Sequence, residues 1–388
     1  MKVLVIAESW PPAMNGVASS SLRLVTELRD RGHHTKVIAP TTLESPGRAP
    51  SSHDRHDPRD LVSAKAVRVG PTQEYTVGIM GGQPNRLLET WRPDVVHVAS
   101  PLSLGWAGLR AARRHDVPAV AAYLTDFTAF TRQSMRHLPG GPAAAGVLGR
   151  AQRAAHSLAA VNIACSRYAL GTLHDWGSPT PREWLRAVDG VRFTPQRRRR
   201  ALARRAAEGR TSVRIGYAGR LAAEKELELL ASVADLPDVE LMIVGDGPRR
   251  ARLAELLPRA RFTGRLGGED YADTVASFDL FVHPGRGETL SQVVLEAVAL
   301  GIPCLVPATG TASSELVTPG VGGAHFRGGD GADLRATVER LLPTLPRGPE
   351  PIAAGVRHRT WEGSMTSLLD AYDEAIERHH AAAGMALR

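Results

Sequence analysis

The chain contains few cysteines, few aromatic residues and very few lysines. Its 388 residues include only two cysteines, Cys165 and Cys304, which lie far apart in the sequence. We therefore expect no disulfide framework, and a reducing cytoplasm suits this cysteine content. Aromatic residues make up 5% of the chain, and no nucleic-acid-binding motif accompanies the net charge of +8. We therefore expect no nucleic-acid partner.

Long hydrophobic runs are also missing. No apolar stretch approaches the roughly 18 residues that a transmembrane helix needs. The apolar run at residues 1–7 is too short for the core of a signal peptide and ends at Glu8. We expect a cytoplasmic protein, soluble or peripheral, whose basic surface could contact the inner face of the plasma membrane.

Apolar, β-branched runs alternate with helical patterns along the chain. The predicted strands lie near 3–7, 35–39, 67–69, 94–98, 118–122, 161–164, 213–218, 240–244, 261–263, 279–282 and 303–306. This alternation predicts an α/β fold made of two doubly wound units, each with a parallel sheet. Residues 41–64 are rich in serine, proline and charged residues, so we expect a surface loop there.

The chain length fits two domains of ordinary size. We place the N-terminal domain at 1–193, a linker at 194–210 and the C-terminal domain at 211–361. The last helix, at about 362–388, is expected to pack back on the N-terminal domain. The linker holds the densest basic run of the sequence, which we interpret as a solvated helix face: Arg197 to Arg200, Arg204 and Arg205.

Two glycine-containing loops follow predicted strands in the second half of the chain. The first reads Gly219-Arg220-Leu221-Ala222-Ala223-Glu224-Lys225, and the second reads Val244-Gly245-Asp246-Gly247. Because the carboxyl ends of parallel strands lie on one edge of a sheet, we expect both loops to meet there. Glycine allows a phosphate to approach the backbone, and Arg220 and Lys225 supply positive charge. This edge could bind a nucleotide diphosphate.

Lys225 is unusual for this chain. Of 48 basic residues only four are lysines, namely Lys2, Lys36, Lys65 and Lys225. A lysine ammonium group is a compact charge suited to one phosphate oxygen, whereas the guanidinium of Arg220 can bind two. The alternative interpretation is a solvated Glu-Lys pair that opens a helix.

The loop after the first strand ends at Asn15-Gly16, where a helix is predicted to begin. The free amides and the positive dipole at a helix N-terminus favour a phosphate, and Gly16 permits a close approach. An ordinary helix cap is the alternative, because Asn-Gly is also favourable turn chemistry.

Two glutamates with seven residues between them follow the predicted strand at 279–282. Glu296 lies in the helical run 291–300, whereas Glu288 lies in the preceding loop, so we expect the two carboxylates to do different jobs. A carboxylate on a helix can accept hydrogen bonds from both ribose hydroxyls. Exposed amides at the start of the helix can face phosphate or sugar oxygens, and they belong to Thr289, Leu290 and Ser291.

Together these motifs resemble the retaining glycosyltransferases of family 4. The resemblance runs from Asn15-Gly16 to the Trp361-Glu362 helix, and the stretch 281–294 is most similar to GDP-mannose-dependent α-mannosyltransferases of actinobacteria. It implies the GT-B fold, in which two Rossmann-like domains face each other across a cleft. It also implies a retaining hexosyltransferase with a nucleotide-sugar donor and a lipid-linked or small-molecule acceptor.

The resemblance also implies roles for the site residues. Arg220 and Lys225 would neutralise the leaving diphosphate, Glu288 would contact sugar hydroxyls, and Glu296 would hold the ribose. The remaining donor-binding residues would be Asn15, Gly16, Gly219, Gly245, Asp246, Gly247, Thr289, Leu290 and Ser291. No Asp-x-Asp motif stands at a suitable loop, so we expect no metal site and no cofactor, although Mg²⁺ could stimulate the reaction.

Two positions depart from the family pattern. Many relatives have a histidine where this chain has Leu124, and leucine can neither hydrogen-bond a sugar nor move a proton. Asp126 then becomes the better candidate for contact with the acceptor or the sugar. At Thr311-Ala312 the resembling mannosyltransferases have a glycine pair, so side chains here would narrow the approach to the donor sugar.

Three functions remain open at this point. The first is mannose transfer from GDP-mannose to a glycolipid or another hydroxyl acceptor. The second is a glycosyltransferase of specialised metabolism, which would move a sugar such as N-acetylglucosamine from UDP to a small aminocyclitol-like acceptor. The third is a nucleotide-sugar-binding protein or epimerase that transfers nothing.

Overall fold

The computed structural model describes residues 1–11, 16–40, 60–69, 75–79, 81–135, 140–345 and 348–386. The chain divides into two compact units. The first unit comprises Met1–Thr128, Ala143–Leu185 and Met365–Arg388. The second unit comprises Ala129–Pro142 and Arg186–Ser364. The domain boundaries predicted from the sequence, at 193/194 and 210/211, stay a prediction.

The first unit is built on a parallel sheet of seven strands. The strands of this part of the chain are β1 Lys2–Ala7, β2 His34–Pro40, β3 Leu61–Ala64, β4 Ala66–Val69, β5 Tyr75–Gly78, β6 Val95–Ala99, β7 Ala119–Tyr123, β8 Val161–Ala164 and β9 Pro181–Glu183. Their order in the sheet is β3-β2-β1-β6-β7-β8-β9, while β4 and β5 form an antiparallel pair of their own. The helices up to this point are α1 Gly16–Asp30, α2 Gln83–Trp91, α3 Ser103–Arg114, α4 Phe127–Ser134, α5 Gly141–His156 and α6 Arg167–Asp175.

The second unit repeats this plan with six parallel strands. They are β10 Val213–Ala218, β11 Val239–Val244, β12 Arg261–Gly264, β13 Leu280–Val282, β14 Cys304–Pro307 and β15 Gly323–Phe326, in the order β12-β11-β10-β13-β14-β15. The remaining α-helices are α7 Pro195–Ala207, α8 Arg250–Leu256, α9 Gly268–Ala276, α10 Gln292–Leu300, α11 Gly331–Leu341, α12 Glu350–Ala354 and α13 Trp361–Ala386. Short 3₁₀ helices cover Ala223–Lys225, Leu227–Val233, Ala312–Leu316 and Leu342–Thr344.

The predicted fold class is confirmed. Every residue of β6 and β7 is buried, as expected for strands of a parallel sheet that is covered on both faces. The strand order changes direction between β1 and β6 in the first sheet, and between β10 and β13 in the second. These are the points at which doubly wound sheets bind ligands, at the carboxyl ends of the strands.

The structure differs from the sequence interpretation in two stretches. Residues 61–64, expected to end a surface loop, form β3, which pairs in parallel with β2. The basic run near residue 200 is solvated only in part: Arg199, Arg200 and Arg204 are exposed, whereas Arg198 and Arg205 are 3% and 7% exposed. Arg198 donates to the carbonyls of Ala276 and Phe278 at the end of α9, and Arg205 donates to the carboxylate of Asp279 at 2.6 Å. The stretch 194–210 therefore contains helix α7 and is part of the second unit.

The last helix, α13, belongs mostly to the core of the first unit. Its Met365, Leu368 and Tyr372 are buried among residues of β1, β2, β6 and β7. The hydroxyl of Tyr372 forms a 3.0 Å hydrogen bond with Nδ1 of the buried His97. Burial lowers the pKa of His97 to about 3, so this histidine is neutral at physiological pH. Among the helices of the described ranges, none has the length and apolar character needed to span a bilayer.

Tyr372→Phe tests this attachment. Removal of the hydroxyl leaves both ring nitrogens of His97 without a partner, because Nε2 already has none among the described residues. We expect the free energy of unfolding to fall by about 1–2 kcal/mol, measured by urea denaturation. The control is Arg378→Ala, which removes an exposed ion pair with Glu374 on the same helix and should cost about 0.5 kcal/mol or less. Equal losses of stability in the two variants would contradict a stabilising role for the hydrogen bond between Tyr372 and His97.

Candidate active site

The candidate site lies at the carboxyl edge of the second unit's sheet. The loop after β10 begins at Gly219, the loop after β11 begins at Gly245, and the loop after β13 begins at His283. Because β10 and β13 flank the point where the strand order changes direction, their loops border the crevice of the sheet. The structure thus brings the glycine loops and the two-glutamate segment to one edge.

The two glycine loops touch each other through their backbones. A Cβ atom at Gly245, where φ is +134°, would lie 1.9 Å from the carbonyl oxygen of Gly219. A Cβ atom at Gly247 would lie 2.5 Å from the carbonyl oxygen of Leu221, whose N–H donates to the carbonyl of Asp246 at 3.0 Å. Glycine is therefore required at both positions, and the edge presents backbone instead of side chains to a ligand.

Each of the two predicted phosphate-binding cations is paired with a carboxylate. Arg220 binds Glu224 one helical turn further along the chain, and Lys225 binds Glu288 across 63 residues of sequence. The hydroxyl of Tyr217 donates to the carbonyl of Arg220 at 3.0 Å and fixes the start of this segment. Lys225 and Glu288 are both about one-fifth exposed, so the pair faces the crevice while most of its surface is buried.

Glu288 is held in its ionised form. Burial alone would raise the pKa of this carboxyl, but the positive charges of Lys225 and Arg220 hold it below its ordinary value. Nε2 of His283 lies 3.7 Å from Oε1 of Glu288. Burial lowers the pKa of His283 to about 4, and the neighbouring carboxylate only partly offsets this effect. A neutral histidine therefore stands beside an ionised glutamate.

Glu296 has the opposite electrostatic character. It lies on α10 and accepts a 2.8 Å hydrogen bond from the hydroxyl of Tyr271 on α9. Burial raises the pKa of Glu296 to about 7, although the hydrogen bonds from Tyr271 and Gln292 act against this rise. The two glutamates that look alike in the sequence therefore differ in charge at neutral pH.

The start of α10 provides backbone donors next to Glu288. Ser291 is the N-cap residue of α10, and its side chain makes no capping hydrogen bond. Thr289 and Ser291 are 4% and 3% exposed, and Leu290 packs against the core of the second unit. Thr311 is the N-cap residue of the 3₁₀ helix Ala312–Leu316, where its hydroxyl accepts from the N–H of Ser313. Thr311 is 2% exposed, and the expected narrowing of the approach to the donor sugar stays a prediction.

The other predicted site residues lie in the first unit. Asp126 follows β7 and its carboxylate accepts from the hydroxyl of Tyr168 at 3.4 Å. Gln152 holds this turn by donating to the carbonyl of Thr125 at 2.7 Å. Leu124 packs against the core of the unit, as its apolar side chain requires. Gly16 is the first residue of α1, whereas Asn15 lies outside the described residues.

Sequence reasoning missed several groups that shape these sites. His283 and Tyr271 were not among the predicted site residues, and Glu224 was considered only as a partner of Lys225, although all three contact predicted site residues. In the first unit, Glu8 follows β1 and accepts from the N–H groups of Leu102 and Gly105 at 3.0 and 2.8 Å. Burial raises the pKa of Glu8 to about 7. Glu8 and His283 each follow directly after a predicted strand, and this position was the only sequence signal that could have identified them.

The described part of the chain contains no cluster of side chains that could bind a metal ion. No group of three or more histidine, cysteine, aspartate or glutamate side chains stands close enough together there to hold an ion. The ionisable groups of the candidate site are instead two carboxylate–cation pairs and Glu296, whose pKa lies near 7.

Comparison with known proteins gives concordant matches. Residues 14–189 match the family described as Glycosyltransferase Family 4, and residues 212–344 match Glycosyl transferases group 1. A GDP-mannose-dependent alpha-mannosyltransferase of Corynebacterium glutamicum is 36% identical over 97% of this chain and 89% of its own length. A protein of the same name from Mycobacterium tuberculosis is 39% identical over 82% of each chain.

The fold has solved counterparts. A sucrose-phosphate synthase from Thermosynechococcus elongatus superimposes with a TM-score of 0.77, covering 96% of this chain and 98% of that one. Its sequence identity is 18%, so this likeness concerns the fold alone. Together with the two sheets described above, it confirms the predicted GT-B architecture.

Lys225→Met tests the electrostatics of the site without any ligand. The ammonium charge of Lys225 lowers the pKa of His283, so its removal should raise that pKa above the wild-type value of about 4. Nuclear magnetic resonance of ¹³C-labelled histidines follows the titration, with His283→Asn to assign the signal. Arg335→Met, which breaks an exposed pair with Asp235, is the control and should leave the pKa of His283 unchanged. An unchanged His283 pKa in Lys225→Met would refute the placement of the Lys225 ammonium group beside Glu288 and His283.

Proposed function

The chain belongs to the family 4 glycosyltransferases, and from this premise we propose that it transfers mannose from GDP-mannose to a hydroxyl group of a glycolipid, with retention of configuration. One observation carries the proposal. The chain matches, over 97% of its length, a relative named as a GDP-mannose-dependent alpha-mannosyltransferase. The donor-side residues described above give the proposal its chemistry.

The diphosphate of the donor would bind by exchange of ion pairs. Lys225 is paired with Glu288, and a diphosphate carries more negative charge than one carboxylate. It would therefore compete for the ammonium group of Lys225 and for the guanidinium of Arg220. Backbone at Gly219, Gly245, Asp246 and Gly247 would allow the phosphates to come close. Stabilisation of the leaving diphosphate is the main demand of this reaction.

Glu288 would change partners during this exchange. Once Lys225 turns to the phosphate, Oε1 of Glu288 is free to accept hydrogen bonds from hydroxyls of the donor sugar. Its lowered pKa keeps it ionised and therefore an acceptor only. The amides of Thr289, Leu290 and Ser291, at the start of α10, would face the remaining oxygens of the donor. Glu296 would accept hydrogen bonds from the ribose hydroxyls.

The acceptor would be bound by residues of the first unit. Asp126, at the end of β7, is the proposed contact, since Leu124 offers no polar group. Gly16, the first residue of α1, and Asn15, which precedes it in the sequence, keep their proposed role as phosphate contacts. The enzyme would meet a lipid acceptor at the inner face of the plasma membrane. Helix α5 supports such a peripheral contact because it contains no acidic residue and exposes Val147, Arg150 and Arg153.

Nucleotide titration by calorimetry tests the donor site. We expect the wild type to bind GDP at least about tenfold more tightly than UDP, in Mg²⁺ and in chelator alike. Glu296→Gln should weaken GDP binding by about tenfold or more, because the amide donates where the ribose hydroxyls need an acceptor. Glu339→Gln, an exposed glutamate on α11, is the control and should bind like the wild type.

The same titration has a pH signature. The carboxyl of Glu296 has a pKa of about 7 and would bind the ribose as a carboxylate, so GDP affinity should rise between about pH 6 and pH 8. Glu296→Gln should lose this part of the pH dependence and keep only the part that comes from the phosphate itself. Preference for UDP would favour the aminocyclitol alternative, and failure to bind either nucleotide would refute the donor site.

Turnover with GDP-mannose tests the acceptor class. A glycosyl diacylglycerol in vesicles should be mannosylated, and the new linkage should show the α-anomeric coupling by nuclear magnetic resonance. A soluble aminocyclitol should not be mannosylated. Transfer to neither acceptor, with hydrolysis or epimerisation of the donor instead, would favour the third alternative.

Vesicle sedimentation tests the membrane contact separately. Arg150→Glu combined with Arg153→Glu should abolish binding to phosphatidylglycerol vesicles at low salt, because each substitution exchanges attraction for repulsion. Arg252→Glu combined with Arg259→Glu makes the same charge change on exposed residues of the second unit and is the control. Equal loss in both double variants would show attraction by net charge and not by α5.

A further inference from the structure

A second ion pair lies directly beside the pair of Lys225 and Glu288. The guanidinium of Arg286 donates three hydrogen bonds to the carboxylate of Glu226, at 2.7, 3.1 and 3.2 Å. Glu226 is 5% exposed, so its carboxylate depends on this partner for its hydrogen bonds. The candidate site as described so far does not use either residue.

The two ion pairs join the same two segments, but the cation comes from a different segment in each pair. Lys225 and Glu226 are consecutive, and Arg286 and Glu288 are two residues apart. One segment therefore gives a cation to Glu288 and an anion to Arg286. The alternating charges favour this register, because a shift by one residue would separate both ion pairs and a shift by two would place like charges together.

Glu226 occupies a backbone conformation that normally favours glycine. Its φ is +50° and its ψ is +36°, and it stands at the junction of the 3₁₀ helices Ala223–Lys225 and Leu227–Val233. A residue with a Cβ atom is strained in this region, so the side chain must compensate for the strain. The forked hydrogen bonds to Arg286 are the compensation that the structure offers.

Arg286 is held from its other side by glycines. A Cβ atom at Gly328 would lie 2.7 Å from Cδ of Arg286, and one at Gly329 would lie 3.3 Å from its guanidinium. The two segments also touch through their backbones, since a Cβ atom at Gly285 would lie 3.1 Å from the carbonyl oxygen of Glu224 and 3.2 Å from Cα of Lys225. The Arg286 side chain therefore packs against these glycines on one side, while 40% of it stays exposed, and its three hydrogen bonds to Glu226 hold the guanidinium in place.

We infer that Glu226 and Arg286 are positioning residues that keep the two segments in register while Lys225 leaves Glu288 for the donor. The inference rests on the proposed function. During the exchange the Lys225–Glu288 pair breaks, and it can no longer hold the loop after β13. The Glu226–Arg286 pair is not part of the exchange, so it keeps Glu288 within reach of the donor sugar.

A mutant cycle of Glu226→Gln, Arg286→Gln and the double variant tests the inference. Each single substitution should lower kcat by at least about tenfold with GDP-mannose, and GDP affinity should change less than about threefold, because Arg220 and the backbone donors remain. The double variant should be no worse than the poorer single variant, since both remove the same interaction. Losses that multiply in the double variant, or single variants with unchanged kcat, would overturn it.

Two further measurements separate positioning from stability. Arg214 and Glu240 form a similar pair at the amino ends of β10 and β11, with distances of 2.9 and 3.0 Å. Glu240→Gln should lower the melting temperature and leave kcat unchanged. Arg286→Lys keeps the charge and loses the fork, so it should fold and still lower kcat. A fall in kcat in Glu240→Gln as large as that in Glu226→Gln would also overturn the inference.

These experiments distinguish failure of the positioning role from failure of the proposed function. If the wild type neither binds GDP nor turns over GDP-mannose, the proposed function fails before any variant is compared. If the wild type is active and Glu226→Gln is equally active at a temperature where both are folded, the proposed function stands and the positioning role fails.

Discussion

The ion pair between Lys225 and Glu288 is the interaction around which the candidate site is organised. It joins the segment after β10 to the loop after β13, which are 63 residues apart in sequence. Neither group could be buried alone, because an uncompensated charge at this depth is strongly destabilising. The carbonyl held by Tyr217, the neutral His283 and the backbone contact at Gly285 all act on one of these two segments.

Burial acts on both glutamates of the site, and their neighbours decide the result. Glu288 has two cations and a histidine beside it, so its pKa stays low. Glu296 has a tyrosine hydroxyl as its main partner, which offsets burial only in part and leaves the pKa near 7. A permanent carboxylate suits a place where positive charge must be exchanged, and a carboxyl that titrates near neutrality suits reversible binding of a neutral ribose. The surroundings of the two glutamates thus shift their pKa values in opposite directions.

Much of the fold and part of the site could be predicted from the sequence. The β-branched runs located most central strands, and strand ends indicated where Gly219, Gly245 and Glu288 would meet, since parallel strands impose that meeting. The sequence could not predict which carboxylate forms an ion pair with each cation. Arg220 has Glu224 four residues away, whereas Lys225 reaches across the crevice, and only packing makes that distinction. Periodicity also missed the short strands β9 and β15 and the burial of Arg198, which depend on tertiary contacts.

The lysine at position 225 suits the ion-pair exchange proposed above. In a chain that uses arginine almost everywhere, the pair with Arg286 is forked and held by three hydrogen bonds, while the pair of Lys225 and Glu288 rests on one ammonium group. A guanidinium at position 225 could grip Glu288 through two parallel hydrogen bonds and would be harder for a phosphate to displace. A single ammonium group can exchange one oxygen for another with little rearrangement. In the proposed exchange, the pair of Lys225 and Glu288 is the one that breaks, and the pair of Arg286 and Glu226 is the one that persists.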